Sequence, residues 1–395
     1  MQALRVLHVT PYGAEAWAYG GIPRVSDALA RGLAGRGHHV TVCTTDARDA
    51  RRRIGRPSGT RDAVDVRVFP NVSNRLAYDW QLFMPLGLSS YLRRHRGDFD
   101  VAHLHACRNL PGVIAATHMQ RAGVPYVLAP HGTAPVLERR RAAKRIFDVV
   151  AGRRVLHGAS RVLAVTQAER RQLEREGVAP DRIAVVPNPM ALSEFDPPPA
   201  RGAFRRRAGI PGPLVAYLGK LTPRKRVDVL VRAFAGMPGN ATLVVAGNDM
   251  GSDGTVRAAA RAAGDRARIV FTGLLEGAAR LELLADADLV VYPSEHEIFG
   301  LVPLEALLAG TPVVVANDSG CGEVVAAMGG GLVVNGDAAA VRGAMEHILA
   351  APAHWRDAAA QAAERIRTTY APDVVCAQLE DVYRQVACPE RSRGA

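Results

Sequence analysis

The chain has 395 residues, 48% of them hydrophobic, which suits two domains of about 200 residues each better than a single core. Glycine and proline follow no strict period, and no apolar run approaches about 18 residues, so we expect neither a fibrous protein nor a membrane span. The five cysteines form no C-x-x-C pair, which favours a reducing cytosol over a disulfide scaffold or a zinc site.

The net charge of +12 is unevenly distributed along the chain. Residues 1–195 hold 29 basic and 16 acidic side chains, whereas the remainder is nearly balanced. Nucleic acid is not expected as a partner, because the basic segments lack interleaved aromatic residues and match no groove-reading motif. Residues 138–154 (ERRRAAKRIFDVVAGRR) predict a basic amphipathic helix, either a peripheral contact with anionic lipid or a solvated face.

Short apolar strands alternate with helices along the whole chain. Seven strands are predicted before Phe195 and five after Pro213: LRVLHVT, HHVTVCTT, VDVRVFP, FDVAHLHA, YVLAPHG, RVLAVT and RIAVVPN, then PLVAYLG, ATLVVAG, ARIVFTG, ADLVVYPS and TPVVVAN. Most are continuously apolar, as parallel strands covered on both faces are. The pattern predicts an α/β protein with two doubly wound, Rossmann-like domains.

Composition also predicts where the domains begin and end. Residues 196–213 contain five prolines and no long apolar run, so we interpret them as a linker between domains 1–195 and 214–371. Residues 372–387 predict a separate helix, and residues 388–395 a polar tail.

Two features of the first half are candidate ligand contacts. Gly20 and Gly21 directly precede a predicted helix, where the absence of a side chain lets the backbone approach a ligand. His131 follows a predicted strand and comes after Pro130, which indicates a fixed loop that leaves the sheet. An ordinary glycine loop and a structural histidine are the alternatives.

Two of the three lysines form a second candidate. Lys220 and Lys225 follow the strand 214–218 in a chain that otherwise uses arginine, with Lys144 as the remaining lysine. Ligands of open α/β sheets collect at the carboxyl ends of the strands, and a mobile ammonium group suits a phosphate that moves during a reaction. Two solvated lysines on a basic loop are the alternative.

The run SEHEIFGLVPLEALLAGTPVVV is the most informative segment of the chain. Glu297 precedes a turn and Glu305 lies inside the predicted helix that follows. Phe299, Gly300 and Leu301 fall at the start of that helix, where unpaired amides and the helix dipole attract phosphate. A helix start with acidic residues nearby is the alternative interpretation.

Together these segments resemble a known family. The Gly-Gly loop, the P-H-G turn, the G-K-L-T-P-R-K-R segment, the E-x7-E run and S-G-C-G-E-V-V are similar to those of retaining glycosyltransferases of family 4, which have the GT-B fold. The resemblance covers residues 4–383. It implies two Rossmann-like domains facing a cleft, a nucleotide sugar held mainly by the second domain, and a last helix that returns to the first.

The resemblance also implies roles for the candidate residues. Lys225 and Lys220 contact the donor diphosphate, Lys220 standing where the family usually has arginine, and the amides of Phe299, Gly300 and Leu301 surround phosphate and sugar. Glu305 holds the ribose hydroxyls, Glu297 contacts the transferred sugar, His131 lies near the reaction centre, and Gly20 and Gly21 approach the phosphate.

The expected function is metal-independent, retaining transfer of a sugar from a UDP- or GDP-type donor, without a cofactor. The acceptor is expected to be a hydroxyl of a glycan, a lipid-linked molecule or a small molecule, in polysaccharide or glycoconjugate biosynthesis. The expected location is the cytoplasm, with the protein either free or peripheral at the inner face of the membrane. A sugar-nucleotide epimerase or phosphorylase, and a non-catalytic sugar-nucleotide-binding protein, are the alternatives.

Overall fold

The computed structural model describes residues 2–136, 141–264, 267–318 and 320–387. The chain forms two compact units. Unit 1 comprises Met1–Pro189 and Pro372–Ala395, and unit 2 comprises Met190–Ala371.

The strands of unit 1 come first in the chain: β1 Arg5–Val9, β2 His39–Thr45, β3 Gly59–Arg61, β4 Val64–Phe69, β5 Val101–His105, β6 Tyr126–Ala129, β7 Arg161–Ala164 and β8 Ile183–Val185. Those of unit 2 follow: β9 Leu214–Leu218, β10 Thr242–Ala246, β11 Arg268–Gly273, β12 Leu289–Tyr292, β13 Val313–Ala316 and β14 Gly331–Val334.

The helices up to residue 208 are α1 Ile22–Gly35, α2 Asn74–Trp80, α3 Leu88–His95, α4 Leu110–Ala122, α5 Arg141–Phe147, α6 Arg153–Gly158, α7 Gln167–Arg175 and α8 Ala203–Ala208. The later helices are α9 Val227–Ala235, α10 Asp253–Ala263, α11 Gly277–Asp286, α12 Leu301–Leu308, α13 Gly320–Met328, α14 Ala338–Ala350, α15 Pro352–Thr369 and α16 Pro372–Ala387.

Within the described residues of unit 1, eight strands form one sheet in the order β3-β4-β2-β1-β5-β6-β7-β8. All neighbours are parallel except β3 and β4. The central strands β5 and β6 are buried along their whole length, as expected for a sheet covered by helices on both faces. Parallel pairing brings the carboxyl ends of β1, β5 and β6 to one edge, where His8, His105 and the loop after Ala129 lie.

Unit 2 contains a second parallel sheet. Its described strands follow the order β11-β10-β9-β12-β13-β14, so β9 and β12 are neighbours although β10 and β11 separate them in sequence. This reversal of strand order is a topological switch point, where open α/β sheets bind ligands. The loops after β9 and β12 carry Lys225 and Glu297.

The predicted fold class is confirmed: the chain folds as two Rossmann-like α/β units. Two short strands were not predicted: β3, because Gly59–Arg61 is polar, and β14, because its four residues directly follow two glycines. The segment 196–213 was interpreted as a linker, but it contains α8, whose Arg205 bonds the backbone oxygen of Asp286 at 2.8 Å inside unit 2.

Helix α16, the final predicted helix, belongs to unit 1. It packs against α1, where Arg36 pairs with Glu380 at 2.8 Å and Cys376 lies against the Leu29 carbonyl. The predicted tail, residues 388–395, lies outside the described residues.

Candidate functional site

Lys225 is the centre of a buried polar cluster in unit 2. It ends a short 3-10 turn, Pro223–Lys225, after β9 and is 5% exposed. Its Nζ contacts both the Tyr292 hydroxyl and Glu297 Oε2, and it lies 4.4 Å from the centre of the Tyr292 ring. A buried ammonium needs such partners, because burying an unpaired charge is costly.

Glu297 is held from two sides. Besides the ammonium of Lys225, its Oε2 accepts a hydrogen bond from the Ser294 hydroxyl at 3.2 Å. Burial by itself raises the pKa of this carboxyl, but Lys225 and Arg224 lower it to about 2, so Glu297 is ionised at neutral pH. Burial lowers the pKa of Lys225, and the charge of Glu297 opposes that shift. The two residues that the sequence placed on separate motifs therefore form one ion pair.

The backbone around this pair is fixed in an uncommon conformation. Arg226, next to Lys225, and His296, next to Glu297, have φ values of 51° and 54°, a region that residues other than glycine rarely adopt. The two segments are joined by a 2.8 Å bond from the Glu295 amide to the Arg224 carbonyl and by an ion pair between Arg226 and Glu295. Backbone strain of this kind persists where the surroundings enforce it, often at functional sites.

Helix α12 begins beside this cluster. Its N-cap, Gly300, has a φ of 78°, and a Cβ there would collide with the Cys321 sulfur, so only glycine fits. Phe299 is buried and packs edge-on against Tyr370 with ring centres 5.3 Å apart. Leu301 is the first helical residue, which places the predicted amides in the first turn, where a helix leaves N–H groups without internal acceptors.

Glu305 lies inside α12 and is paired with a buried arginine. The side chain is 0% exposed, and its Oε2 lies 2.6 Å from Nη1 of Arg280, a buried residue of α11. Arg280 also contacts Glu194. The carboxylate thus faces a buried arginine and has no exposed surface to offer a ribose hydroxyl. Its role in donor binding stays a prediction.

Lys220 differs from Lys225 in its surroundings. It follows Gly219 directly after β9 and is half-buried, and its carbonyl accepts a 2.9 Å hydrogen bond from the Tyr217 hydroxyl. That bond fixes the backbone of the loop. Its predicted contact with the diphosphate stays a prediction.

The two glycines of unit 1 flank the start of α1. Gly20 has a φ of 97°, which favours glycine, whereas Gly21 is the helix N-cap with an ordinary φ of −77°. Only Gly20 therefore needs glycine for conformational reasons. The predicted approach of Gly20 and Gly21 to a phosphate is untested.

His131 lies in a tightly held turn after β6 and has a left-handed φ of 51°. The amide of the next residue, Gly132, donates a 2.6 Å bond to Glu169, and the Thr133 hydroxyl donates one of 2.6 Å to the Pro130 carbonyl. Its Nε2 lies 3.1 Å from Nδ1 of His105, and burial lowers the pKa of His131 to about 4. His131 is therefore a neutral imidazole at physiological pH.

Sequence reasoning missed three residues that shape these sites: Glu169, Arg280 and Tyr292. Glu169 is 1% exposed and also accepts from the Val165 amide, so it ties the His131 turn to the start of α7. Arg280 is one arginine among many and carries no motif. Tyr292 lies in the predicted strand ADLVVYPS and belongs to none of the candidate motifs. In each case the role depends on a contact between distant segments, which a single sequence does not reveal.

Comparison with known proteins adds to this geometry. Residues 20–189 match the family model of the glycosyl transferase 4-like domain, and residues 202–367 match that of glycosyl transferases group 1. A D-inositol 3-phosphate glycosyltransferase of Xylanimonas cellulosilytica is 31% identical over 90% of this chain and 89% of its own length. The chain belongs to glycosyltransferase family 4.

A second relative supports the family, and two solved structures support the fold. The D-inositol 3-phosphate glycosyltransferase of Acidothermus cellulolyticus is 34% identical over 84% of this glycosyltransferase and 78% of the relative. Sucrose-phosphate synthase from Thermosynechococcus elongatus has the same fold, with a TM-score of 0.74, 22% identity and coverage of 97% and 98% of the two chains. Anabaena HepE, solved with UDP and glucose, has a TM-score of 0.72 and 20% identity, with coverage of 96% and 99%.

Proposed function

We propose that this glycosyltransferase moves a sugar from a UDP- or GDP-type nucleotide sugar to an acceptor hydroxyl, with retention at the anomeric carbon and without a metal ion. The observation that carries the proposal is the pairing of Lys225 with Glu297 beside the first turn of α12, at the switch point of the unit 2 sheet. A cation and a helix N-terminus there suit a diphosphate, and a carboxylate suits sugar hydroxyls.

Departure of the nucleoside diphosphate develops negative charge on its β-phosphate. Lys225 and the α12 amides stabilise that charge more in the transition state than in the ground state, which is the requirement for catalysis. The acceptor oxygen forms the new bond to the anomeric carbon on the face that the phosphate leaves, and a phosphate oxygen takes the hydroxyl proton. The sugar then keeps its configuration.

Metal independence is proposed from the carboxylates themselves. The D-A-D sequence resembles a metal-binding motif, but Asp286 accepts from the Arg205 amide at 2.9 Å, and Asp288 accepts from the Leu214 amide at 2.9 Å. Asp288 also pairs with Arg356 at 2.5 Å. These carboxylates hold α8 and α15 to the sheet. Lys225 and the first amides of α12 supply the charge stabilisation that a metal would otherwise give.

The acceptor is proposed from charge and from the relatives. The basic residues in excess lie in residues 1–195, which suits an anionic acceptor. The relatives that are 31% and 34% identical are named for D-inositol 3-phosphate, so a phosphorylated polyol is the first small acceptor to test. Lipid-phosphate-linked sugars and anionic glycans have the same charge and form the rest of the panel.

Peripheral membrane contact in the cytoplasm is part of the same proposal. No described helix combines the length and apolarity that crossing a bilayer requires. The helical stretch 141–158 instead exposes Ile146, Val149 and Val150 at 66%, 75% and 77%, beside basic residues, a combination that suits an anionic lipid surface. Residues 138–140 of the predicted helix lie outside the described residues.

The test is an assay of the purified protein with UDP-, GDP- and ADP-sugars against this acceptor panel, with and without a chelator. We expect transfer from one donor class, the same rate with chelator, and an NMR coupling at the new linkage that matches the donor's anomeric configuration. An inverted linkage contradicts retention, and loss of activity that added metal restores contradicts metal independence. Turnover without any acceptor would instead indicate an epimerase.

A further inference from the structure

Four imidazoles and one phenol lie together in unit 1. His8 is at the end of β1, His103 and His105 are on β5, Tyr383 is on α16 and His131 follows β6. The register of the sheet brings the first three together, because His8 pairs with His103 across parallel strands and residues two apart face the same side. His8, His103, His105 and Tyr383 are all 0% exposed.

These side chains form one continuous hydrogen-bonded chain. From His131 Nε2 the chain runs to His105 Nδ1 at 3.1 Å, and from His105 Nε2 to His8 Nδ1 at 3.2 Å. It continues from His8 Nε2 to the Tyr383 hydroxyl at 3.2 Å, and from that oxygen to His103 Nδ1 at 2.7 Å. Its two ends are His131 Nδ1 and His103 Nε2, both buried and without a hydrogen-bond partner among the described residues.

Counting protons limits the chain to two arrangements. Burial lowers the pKa of His8 to about 3 and of His131 to about 4, and it lowers those of His103 and His105 well below the ordinary value, so every ring is neutral. Each neutral ring carries one N–H and Tyr383 one O–H. Each link uses one of these protons, which leaves one proton for one end: either His131 Nδ1 or His103 Nε2.

The end that keeps the proton is decided by burial. An N–H group without an acceptor in a protein core is rarer and costlier than a bare lone pair. The His103 side chain is 0% exposed whereas His131 is half-buried, so the favoured arrangement leaves His103 Nε2 as a lone pair and directs every donor toward His131. We propose that His8, His103, His105 and Tyr383 are positioning residues that fix His131 as the tautomer protonated on Nδ1.

This tautomer is not the one that a free histidine side chain prefers, since imidazole in solution carries its proton mainly on Nε2. It makes His131 a hydrogen-bond donor at its remaining nitrogen and prevents it from acting as a base there. The use of that N–H toward an oxygen of the transferred sugar rests on the proposed function, whereas the tautomer itself does not.

The ring nitrogens of His8, His103 and His105 lie within 4.8 Å of one another, a spacing that a metal ion could also bridge. Both nitrogens of His8 and of His105 are already engaged by rings or by Tyr383, and the group contains no carboxylate to balance a cation. A metal would have to break the chain, so the two interpretations exclude each other and one experiment separates them.

The experiment is a long-range proton–nitrogen NMR correlation on the full chain with ring-labelled histidine, at pH 7.5 and without substrate. The His131 signals are assigned by their loss in His131→Gln. We expect a pyrrole-type shift for Nδ1 and a pyridine-type shift for Nε2. The opposite assignment in the unaltered protein overturns the proposal, as does a tightly bound metal ion that disappears in His103→Gln.

His105→Phe removes the ring that donates to His131 Nε2 and provides the second arm. We expect His131 to populate both tautomers, while Tyr91→Phe, a replacement in unit 1 outside the chain, leaves the shifts unchanged. If the proposed function also holds, kcat falls about three- to tenfold in His105→Phe, the value of one hydrogen bond, with UDP affinity within about twofold. Unchanged His131 shifts in that variant contradict the proposal, whatever the activity.

Discussion

Units 1 and 2 both bury polar groups at the ends of parallel strands, but they stabilise these groups by different interactions. Unit 1 does so with uncharged groups, the hydrogen-bonded chain that ends at His131. Unit 2 uses charges, pairing Lys225 with Glu297 and Arg280 with Glu305. The comparison shows that the first arrangement fixes where a proton lies, whereas the second fixes where a charge lies. Their responses to pH and to substitution should therefore differ.

The largest difference between the two units is expected in acid, which should destabilise unit 1 more than unit 2. The folded pKa values of His8 and His131, about 3 and 4, lie below the ordinary 6.5, so only the unfolded chain takes up protons between these limits. The contribution of these neutral imidazoles to the stability of unit 1 is fully present above pH 6.5. It falls as the pH is lowered, by about 2 kcal/mol per imidazole at pH 5. Glu169, whose pKa burial raises to about 7, opposes this by roughly the amount of one imidazole.

Unit 2 serves as the internal control for that prediction. The pKa of Glu297 is about 2, so the stability of its ion pair is retained at pH 5 and is lost only as the pH falls below about 4.5. Hydrogen-exchange protection at pH 7 and pH 5 measures both units in one sample. Equal loss of protection in β5 and in β9 would contradict the comparison.

Arg280→Ala should have the next largest effect. It leaves the Glu305 carboxylate buried without its partner at 2.6 Å, which typically costs about 3–5 kcal/mol. Trp355 is the single tryptophan of unit 2, so its fluorescence in a Trp17→Phe, Trp80→Phe background reports urea unfolding of that unit.

The matched control is Arg280→Met combined with Glu305→Gln, which removes both charges. Recovery of more than half of the lost stability is expected, because the cost comes from the unpaired charge rather than from lost volume. An Arg280→Ala variant as stable as the parent would show that the Glu305 carboxylate is not held as described.

Lys225→Ala should lower transfer at least about a hundredfold, equivalent to about 2.7 kcal/mol, because one preorganised charge at the leaving group is lost. Steady-state kinetics with the preferred donor measure it. Arg232→Ala, which removes an exposed basic residue of α9 that pairs with Asp228, is the control for loss of positive charge. Turnover near that of the control would remove the proposed mechanism.

The fold could be predicted largely from sequence, but the site only in part. Continuous apolar runs such as Leu214–Leu218 specify buried parallel strands whatever their neighbours are. Helix α8 was not predicted within residues 196–213, because its three arginines are typical of a solvated linker. The hydrogen bond from Arg205 to Asp286 shows that this segment belongs to unit 2. Motifs identified Lys225 and Glu297 separately, but not their ion pair.

The hydrogen-bonded chain of unit 1 was the part least accessible from sequence. His103 and His105 lie in the predicted strand FDVAHLHA, and nothing local indicates that Tyr383, 280 positions from His103, completes their hydrogen bonds. Proton counting along such a chain needs every partner. A single sequence supplies the residue types but not the links.

Lys220→Arg should have the smallest effect. It restores the side chain that the family resemblance implies at this position, and a guanidinium can bind a phosphate through two bonds instead of one. We expect UDP to bind about threefold more tightly by calorimetry, which corresponds to less than about 1 kcal/mol. Weaker binding would place Lys220 in a role that its ammonium performs specifically.

The most direct test of the central claim, that unit 2 binds the donor diphosphate through Lys225, is a crystal structure of the enzyme with its preferred nucleotide sugar. The account predicts diphosphate oxygens within about 3 Å of Lys225 Nζ and of the first amides of α12, with the Glu297 carboxylate turned from the ammonium toward the sugar. A diphosphate bound elsewhere, with Lys225 still paired to Glu297, would contradict it.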